Sequence, residues 1–278
     1  MSPRHHFISC QDLEIHYVEW GEPTAPVVIC WHGLTRTGRD FDELAAVLAK
    51  RYRVICPDTP GRGLSQWSDQ PLQHYIVPFY AQIALDLADQ LGIEQFNWVG
   101  TSMGGLIGMV VAALAPNRVQ QLVLNDVGPE VPVAAVERIR SYAGAQPSFN
   151  TISELEAWLR QVYLSFGENS PAFWRRMAMT SSRRTEQGKI TLHYDVRLVE
   201  PFKNYTGEET LWPFWAQIIC PTLVIRGELS DLLSAEQVEQ MLARKPEANA
   251  QAVTFVKVGH APTLTTPEQI EVVRGFLG

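Results

Sequence analysis

The chain has 278 residues, 46% of them hydrophobic and 19% charged, which is typical of a globular protein with a large apolar core. Its net charge of -7 and its scattered 23 lysines and arginines argue against a nucleic-acid partner, because such proteins concentrate positive charge on one face. The first thirty residues do not resemble a signal peptide and no segment is apolar for long enough to span a bilayer, so we expect a cytoplasmic protein with no membrane partner.

Short apolar runs alternate with helix-length periodic segments along most of the chain. This alternation predicts an α/β fold with a mostly parallel sheet and helices on both faces. The first two predicted strands lie on either side of Gln11 and Asp12, which indicates an antiparallel hairpin at the sheet edge. The eight predicted strands span residues 7–10, 13–20, 27–31, 53–56, 96–99, 120–125, 222–226 and 253–257.

Two helices are well marked between these strands. The first is predicted over residues 78–91 and stops at Gly92, a common residue after a helix. The second, over residues 103–115, is apolar on all sides and stops before Pro116, which predicts a helix buried against the sheet.

The alternation of strands and helices stops after Asp126 and resumes only near residue 216. Ser153 with Glu156 predicts a capping box at the start of one helix in this region. We therefore predict a helical insertion at 127–215, between two parts of an α/β core at 1–126 and 216–278. The insertion holds 13 of the 27 aromatic residues, which predicts an apolar inner surface where a few side chains line a pocket.

The sequence Gly100-Thr101-Ser102-Met103-Gly104 follows one predicted strand and opens the apolar helix. In this context the pattern G-x-S-x-G is typical of a nucleophile elbow, a tight turn that lifts a serine hydroxyl above the sheet. Glycine is required on both sides because a side chain there would collide with the strand or the helix. Ser102 is therefore the candidate nucleophile.

An ester-cleaving serine also needs donors for the oxyanion that forms during attack. The N–H of Met103 lies at the helix N-terminus and is the first candidate donor. Leu34, in the loop after His32-Gly33, supplies the second. We expect His32 itself to hold this loop in place.

A serine needs a base and an acid that orients the base. His260 is predicted as the base, because it opens a loop after the last predicted strand. Asp231, which follows the seventh strand by a short loop, is predicted as the acid. Glu228 in the same loop and Asp126 at the end of the sixth strand are the alternatives for the acid.

No cofactor or metal is expected from the sequence, which lacks the spacings CxxC and HExxH. Three of the four cysteines end short apolar runs, so we interpret them as buried free thiols rather than disulfides. The sequence carries no indication of the oligomeric state.

Five segments in order along the chain resemble the α/β-hydrolase superfamily, in its branch with a serine nucleophile and a helical cap. They are WHGL at 31–34, PDTPGRGLS at 57–65, GTSMGG at 100–105, RGELSD at 226–231 and GHAP at 259–262. The resemblance implies an eight-stranded, mostly parallel sheet with a cap inserted after the sixth strand. It gives Asp58 a structural rather than a catalytic role.

The resemblance implies a carboxylesterase acting on a small-molecule ester through an acyl-enzyme. Three alternatives stay open: a carbon-carbon bond hydrolase of meta-cleavage products, a cofactor-free haloperoxidase or perhydrolase, and a small-ligand sensor. The segment HGLTRTG differs from the HGxGPG that is usual in the carbon-carbon hydrolases. The serine at the elbow disfavours the dehalogenases and epoxide hydrolases, which use aspartate there.

The aromatic insertion favours a small to medium, apolar substrate. The competing expectation is an anionic substrate bound by arginines of the insertion. The candidates for that role are Arg138, Arg140, Arg175, Arg176, Arg183 and Arg184.

Overall fold

The fold is taken from a computed structural model that describes residues 2–245 and 249–278. Eight strands of the described residues form the main sheet, in the order β1-β2-β4-β3-β5-β6-β9-β10. The ten strands are β1 (Arg4–Cys10), β2 (Leu13–Trp20), β3 (Val27–Trp31), β4 (Arg53–Pro57), β5 (Phe96–Thr101), β6 (Val119–Asn125), β7 (Ser182–Arg184), β8 (Ile190–Leu192), β9 (Thr222–Gly227) and β10 (Ala250–Phe255).

The topology of the main sheet confirms the predicted α/β-hydrolase fold. β1 and β2 form the antiparallel edge hairpin, β2 also runs antiparallel to β4, and all remaining neighbours are parallel. Each predicted strand is present, with ends that move by up to three residues. β1 begins earlier than predicted, at Arg4, because its polar residues still pair with β2, where Arg4 lies opposite Glu19 and forms an ion pair with it.

Helices cover both faces of the sheet and enclose a separate apolar cluster on each. α3, α4 and α8 contribute to one cluster, and α1 and α10 contribute to the other. The helices are α1 (Asp42–Leu48), α2 (Pro71–His74), α3 (Val77–Gln90), α4 (Met103–Leu114), α5 (Val133–Ala143), α6 (Ile152–Val162), α7 (Pro171–Thr180), α8 (Trp212–Gln217), α9 (Ala235–Ala243) and α10 (Pro267–Leu277).

The two helices that the sequence marked most clearly are both present. α3 ends at Gln90, and Gly92 beyond it has φ +65°, a left-handed conformation that glycine adopts without strain. In α4, ten of the twelve residues are buried, which confirms the prediction of a helix enclosed on all sides.

The segment between β6 and β9 adds no strand to the main sheet, and it contains α5, α6 and α7. It also contains the antiparallel pair β7 and β8, so the expectation of helices and turns alone is corrected. The loop between the two strands includes Gly188 at φ +76°, which closes the hairpin. The predicted boundary at residue 215 falls inside α8, a helix that packs against α4 of the main body.

The capping box of α6 lies two residues earlier than predicted. Thr151 rather than Ser153 is the N-cap, and its hydroxyl accepts a hydrogen bond from the N–H of Glu154. The Glu154 carboxylate accepts in turn from the N–H of Asn150. Thr151 with Glu154 and Ser153 with Glu156 both fit the sequence pattern of a capping box, and α6 begins after the first of them.

All four cysteines belong to the described part of the chain, and all are buried free thiols. Within that same part, the helices are too short or too polar to cross a bilayer.

Candidate active site

Ser102 lies in the turn between β5 and α4 with φ +53° and ψ -118°. A side chain rarely adopts this backbone conformation, which costs on the order of 1–3 kcal/mol, and the surrounding structure has to hold it. The Ser102 N–H donates to the carbonyl of Asn125 at the end of β6, at 2.9 Å. The strained turn is therefore tied to the neighbouring strand and presents the hydroxyl at the C-terminal ends of the parallel strands.

The glycines on either side of Ser102 are required by the packing of this turn. A Cβ on Gly100 would lie 2.2 Å from the carbonyl oxygen of Gly104, and a Cβ on Gly104 would lie 1.9 Å from that of Trp31. Real Cβ atoms do not approach backbone oxygens so closely. The structure thus has the local geometry that the G-x-S-x-G pattern predicted.

Ser102, His260 and Asp126 form a continuous hydrogen-bonded chain. The Ser102 hydroxyl oxygen lies 2.9 Å from Nε2 of His260, and Nδ1 of His260 lies 2.8 Å from Oδ2 of Asp126. Because a carboxylate only accepts, Nδ1 carries the proton and Nε2 is free to accept the proton of Ser102. This order of groups can activate the hydroxyl as a nucleophile.

Asp126 is fully buried, and each of its carboxylate oxygens has a further donor. Oδ1 accepts from the N–H of Gly227 at 2.8 Å, and Oδ2 accepts from the Ser230 hydroxyl at 2.7 Å. Hydrogen bonds of this kind compensate the burial of a charged group and fix its direction. The imidazole of His260 therefore has one preferred orientation.

The prediction of Asp231 as the acid is wrong for this geometry. Its carboxylate forms an ion pair with Arg138 and its side chain is 47% exposed, whereas the carboxylate of Asp126 faces His260. The alternative Glu228 is also turned away, and it accepts from the N–H of Lys257. The error has a physical reason. β6 and β9 are parallel neighbours in the sheet, so acids that follow either strand lie at the same C-terminal end of the sheet.

The peptide bond between Gly33 and Leu34 is oriented by hydrogen bonds to its carbonyl. The Gly33 oxygen accepts from Nδ1 of His32 at 2.7 Å and from the N–H of Arg36 at 3.1 Å. In a trans peptide the N–H points opposite to the carbonyl, so the N–H of Leu34 is directed to the other side. Among the described residues, neither this N–H nor that of Met103 has an acceptor.

His32 holds this peptide as a neutral imidazole. The N–H of Thr59 donates to its Nε2 at 2.9 Å, which leaves the proton on Nδ1 for Gly33. Burial lowers the pKa of His32 from 6.5 to about 4. The structure thus agrees with the expectation that His32 secures the loop of the candidate oxyanion donor.

The buried His32 gives a testable dependence of stability on pH. Because its folded pKa lies below its unfolded value, its contribution is complete above pH 6.5 and is lost as the pH falls toward about 4. The linked loss in the free energy of unfolding is on the order of 3 kcal/mol in total, and about 2 kcal/mol of it falls between pH 7 and pH 5. Urea unfolding at pH 7 and pH 5 measures this part. A His32→Asn variant serves as the control, and an equal pH dependence in that variant would contradict the assignment.

Arg62 connects the two candidate oxyanion residues, although no role was predicted for it. Its side chain is fully buried, and Nε donates to the carbonyl of Leu34 at 2.8 Å. Nη1 donates to the Tyr80 hydroxyl at 2.6 Å, and Nη2 lies 3.8 Å from the sulfur of Met103. The buried guanidinium therefore links the loop of Leu34 to the first residue of α4.

The segment between β6 and β9 also holds part of the site. The Ser165 hydroxyl donates to the carbonyl of His260 at 2.6 Å, and the carbonyl of Ser165 accepts from the N–H of Gly259 at 2.7 Å. The loop that carries the imidazole is therefore fixed from above by this segment as well as from below by Asp126.

A small cavity of about 40 Å³ adjoins the site, and its lining includes residues next to Leu34, Ser102 and His260 in the chain. Phe41, Phe166 and Phe173 supply its aromatic wall, so two aromatic residues of the predicted insertion do line a pocket. The volume has room for a group of only a few heavy atoms.

A group of phenols lies above the loop of Leu34. The Tyr163 hydroxyl bonds to the Thr35 hydroxyl at 2.8 Å, and the Tyr142 ring meets the Tyr163 ring edge-on with centroids 5.8 Å apart. The hydroxyl of Tyr194 is buried and has no hydrogen-bond partner among the described residues.

A model of the α/β hydrolase fold family matches residues 26–267. The chain belongs to the α/β-hydrolase family. It is 43% identical to a 3-hydroxybutyrate-oligomer hydrolase of Cupriavidus necator, over 99% of this chain and 98% of that protein.

Solved structures agree with this assignment. An α/β hydrolase of Novosphingobium aromaticivorans has 36% identity and a TM-score of 0.89, over 99% of this chain and 98% of that one. A hydrolase structure from Rickettsia typhi has 30% identity and a TM-score of 0.91, over 100% and 99%. The protein is a hydrolase of this family.

Proposed function

We propose that this α/β hydrolase is a serine esterase that cleaves short linear esters of 3-hydroxy acids. The observation that carries the proposal is the hydrogen-bonded chain of Ser102, His260 and Asp126, at distances that allow proton transfer. The substrate class is supported by the 43% identity, over nearly both full lengths, to a 3-hydroxybutyrate-oligomer hydrolase. This class is more polar than the apolar substrate expected from the aromatic insertion.

The reaction has two steps, the acylation of Ser102 and the hydrolysis of the acyl-enzyme. The oxygen of Ser102 attacks the acyl carbon while its proton passes to Nε2 of His260, and Asp126 stabilises the imidazolium that forms. The carbonyl oxygen becomes an oxyanion beside the N–H groups of Leu34 and Met103. The bond to the alcohol oxygen then breaks, and that oxygen takes the proton from His260.

Water completes the cycle by the same route. It attacks the acyl-enzyme as His260 accepts its proton, the bond to Ser102 breaks, and His260 returns the proton to the serine oxygen. The products are one alcohol and one carboxylic acid for each molecule of water consumed. The segment above the site acts as a cap that limits the acyl group to the small cavity beside the site.

A panel of substrates tests the proposal on the unmodified protein. We expect the dimer and trimer of 3-hydroxybutyrate to be hydrolysed to monomer, measured by chromatography, with one acid group released per bond. Matched reactions contain p-nitrophenyl butyrate, a vinylogous diketone, or monochlorodimedone with peroxide and acetate. Faster loss of diketone absorbance than of oligomer would favour the carbon-carbon hydrolase, and halogenation without ester cleavage would favour the haloperoxidase.

A further inference from the structure

Eight arginines lie between residues 127 and 215, and one of them differs from the others in its partner. Arg138, on α5, pairs with Asp231 in the loop after β9. The other seven contact groups on their own segment, on residues 39 and 43, or on residues 67 and 68. They are Arg140 with Lys203, Arg160 and Arg175 with Glu156, Arg176 with Glu43, Arg183 with Trp67, Arg184 with Gly188, and Arg197 with Asp195.

The pair of Arg138 and Asp231 has the geometry of carboxylate recognition. Nε lies 2.5 Å from Oδ2 and Nη2 lies 2.9 Å from Oδ1, so the guanidinium binds both oxygens in parallel. The side chains are 39% and 47% exposed, and exposed ion pairs of this kind are worth only about 0–1 kcal/mol. A carboxylate from solution can therefore take the place of Asp231 at small cost.

The carboxylate partner of this guanidinium lies on the loop that supports Asp126. Asp231 follows Ser230, whose hydroxyl donates at 2.7 Å to the same oxygen of Asp126 that accepts from His260. Burial opposes the ionisation of Asp231, but hydrogen bonds from Arg138 outweigh it and lower its pKa, with a further contribution from His260. The anion at this position is thus held in its charged form on the loop that supports Asp126.

The proposed substrate carries a carboxylate on the part that binds toward the His260 imidazole. In the reaction above, the leaving alcohol takes its proton from His260, so the alcohol part of the ester lies toward the imidazole. When that alcohol is itself a 3-hydroxy acid, its free carboxylate is only three bonds from the leaving oxygen. A cation near His260 is then within reach of it.

We infer that Arg138 binds the free carboxylate of the leaving 3-hydroxy acid, and that Asp231 occupies this position until the substrate arrives. The inference rests on the proposed esterase function and adds a specificity for oligomers with a free acid end. Asp231 acts as a competitor of the substrate and not as its ligand. Removing the arginine and removing the aspartate must therefore have opposite effects on KM.

Steady-state kinetics on the 3-hydroxybutyrate dimer and on its methyl ester test the inference. Arg138→Gln is expected to raise KM for the free acid by about fivefold, because a partly exposed charged contact is lost. KM for the methyl ester should change by less than about twofold, since that substrate has no charge to lose. Asp231→Asn is expected to lower KM for the free acid, because it removes the competing carboxylate.

Two further variants make the outcome decisive. Arg140→Gln removes a guanidinium from the same helix and should leave both substrates unaffected, because Arg140 donates to the carbonyl of Lys203, within its own segment. Arg138→Lys keeps the charge without the paired donors and should give an intermediate KM for the free acid.

Two outcomes would show that the ion pair is purely structural: equal effects of Arg138→Gln on acid and ester, or an increased KM for the acid in Asp231→Asn. Either outcome would overturn the inference and leave the proposed esterase function standing. If the unmodified protein cleaved neither dimer nor methyl ester, the proposed function would fail with it.

Discussion

Asp126→Asn will lower kcat for a neutral ester by about 10⁴-fold, the loss expected when the acid that orients a catalytic imidazole becomes an amide. The amide cannot stabilise the imidazolium, and it also favours the wrong tautomer of His260 because its nitrogen can donate to Nδ1. Asparagine keeps the shape of the buried side chain, and its oxygen can still accept from the N–H of Gly227.

Asp231→Asn is the matched control for this variant, because it makes the same chemical change on the neighbouring loop. With p-nitrophenyl butyrate, which carries no carboxylate, its kcat should stay within about fivefold of the unmodified protein, as for a partly exposed ion pair. Circular dichroism and thermal unfolding check that both variants are folded. A large loss in Asp231→Asn with an active Asp126→Asn would return the role of the acid to residue 231.

Ser102→Ala will reduce kcat by about 10⁵-fold or more, because the acyl-enzyme cannot form without the hydroxyl. A fluorophosphonate should label the unmodified protein once, on the peptide that contains Ser102, and should leave the variant unlabelled in intact-mass spectra. Ser153→Ala, which removes an exposed hydroxyl on α6, is the matched control and should react normally. Turnover above about 1% in Ser102→Ala would contradict the mechanism, which ascribes almost the whole rate to this group.

The main sheet could be predicted from the sequence because its central strands are buried on both faces. Such strands give continuous apolar runs, as in residues 27–31 and 223–225, and the signal depends only on local composition. The pair β7 and β8 was missed because each strand has three residues, too few for a pattern to emerge. Its hydrogen bonds depend on the turn that joins the two strands.

The nucleophile was readable for the same reason, since Ser102 follows a central buried strand. The base was readable from its place in the loop after the last predicted strand, although β10 lies at the side of the sheet and only Phe255 in it is buried. The acid was not, because Asp126 and Asp231 both follow strands that end side by side, and only the direction of the side chains separates them. Arg62 gave no signal at all. Its burial depends on contacts with Leu34, Tyr80 and Met103, which are distant in sequence, while an isolated arginine is usually interpreted as solvated.

The position of Asp126 constrains how this enzyme could be recombined with its relatives. Asp126 directly follows β6, and the segment between β6 and β9 continues from it, so the catalytic acid lies at the start of the segment that covers the site. Gly128 packs against Gln237, and Gln237 donates to the carbonyl of Glu130, so the first residues of the segment are anchored to the body. A chimera that exchanges the segment between β6 and β9 should therefore keep residues 126–130 from the recipient protein.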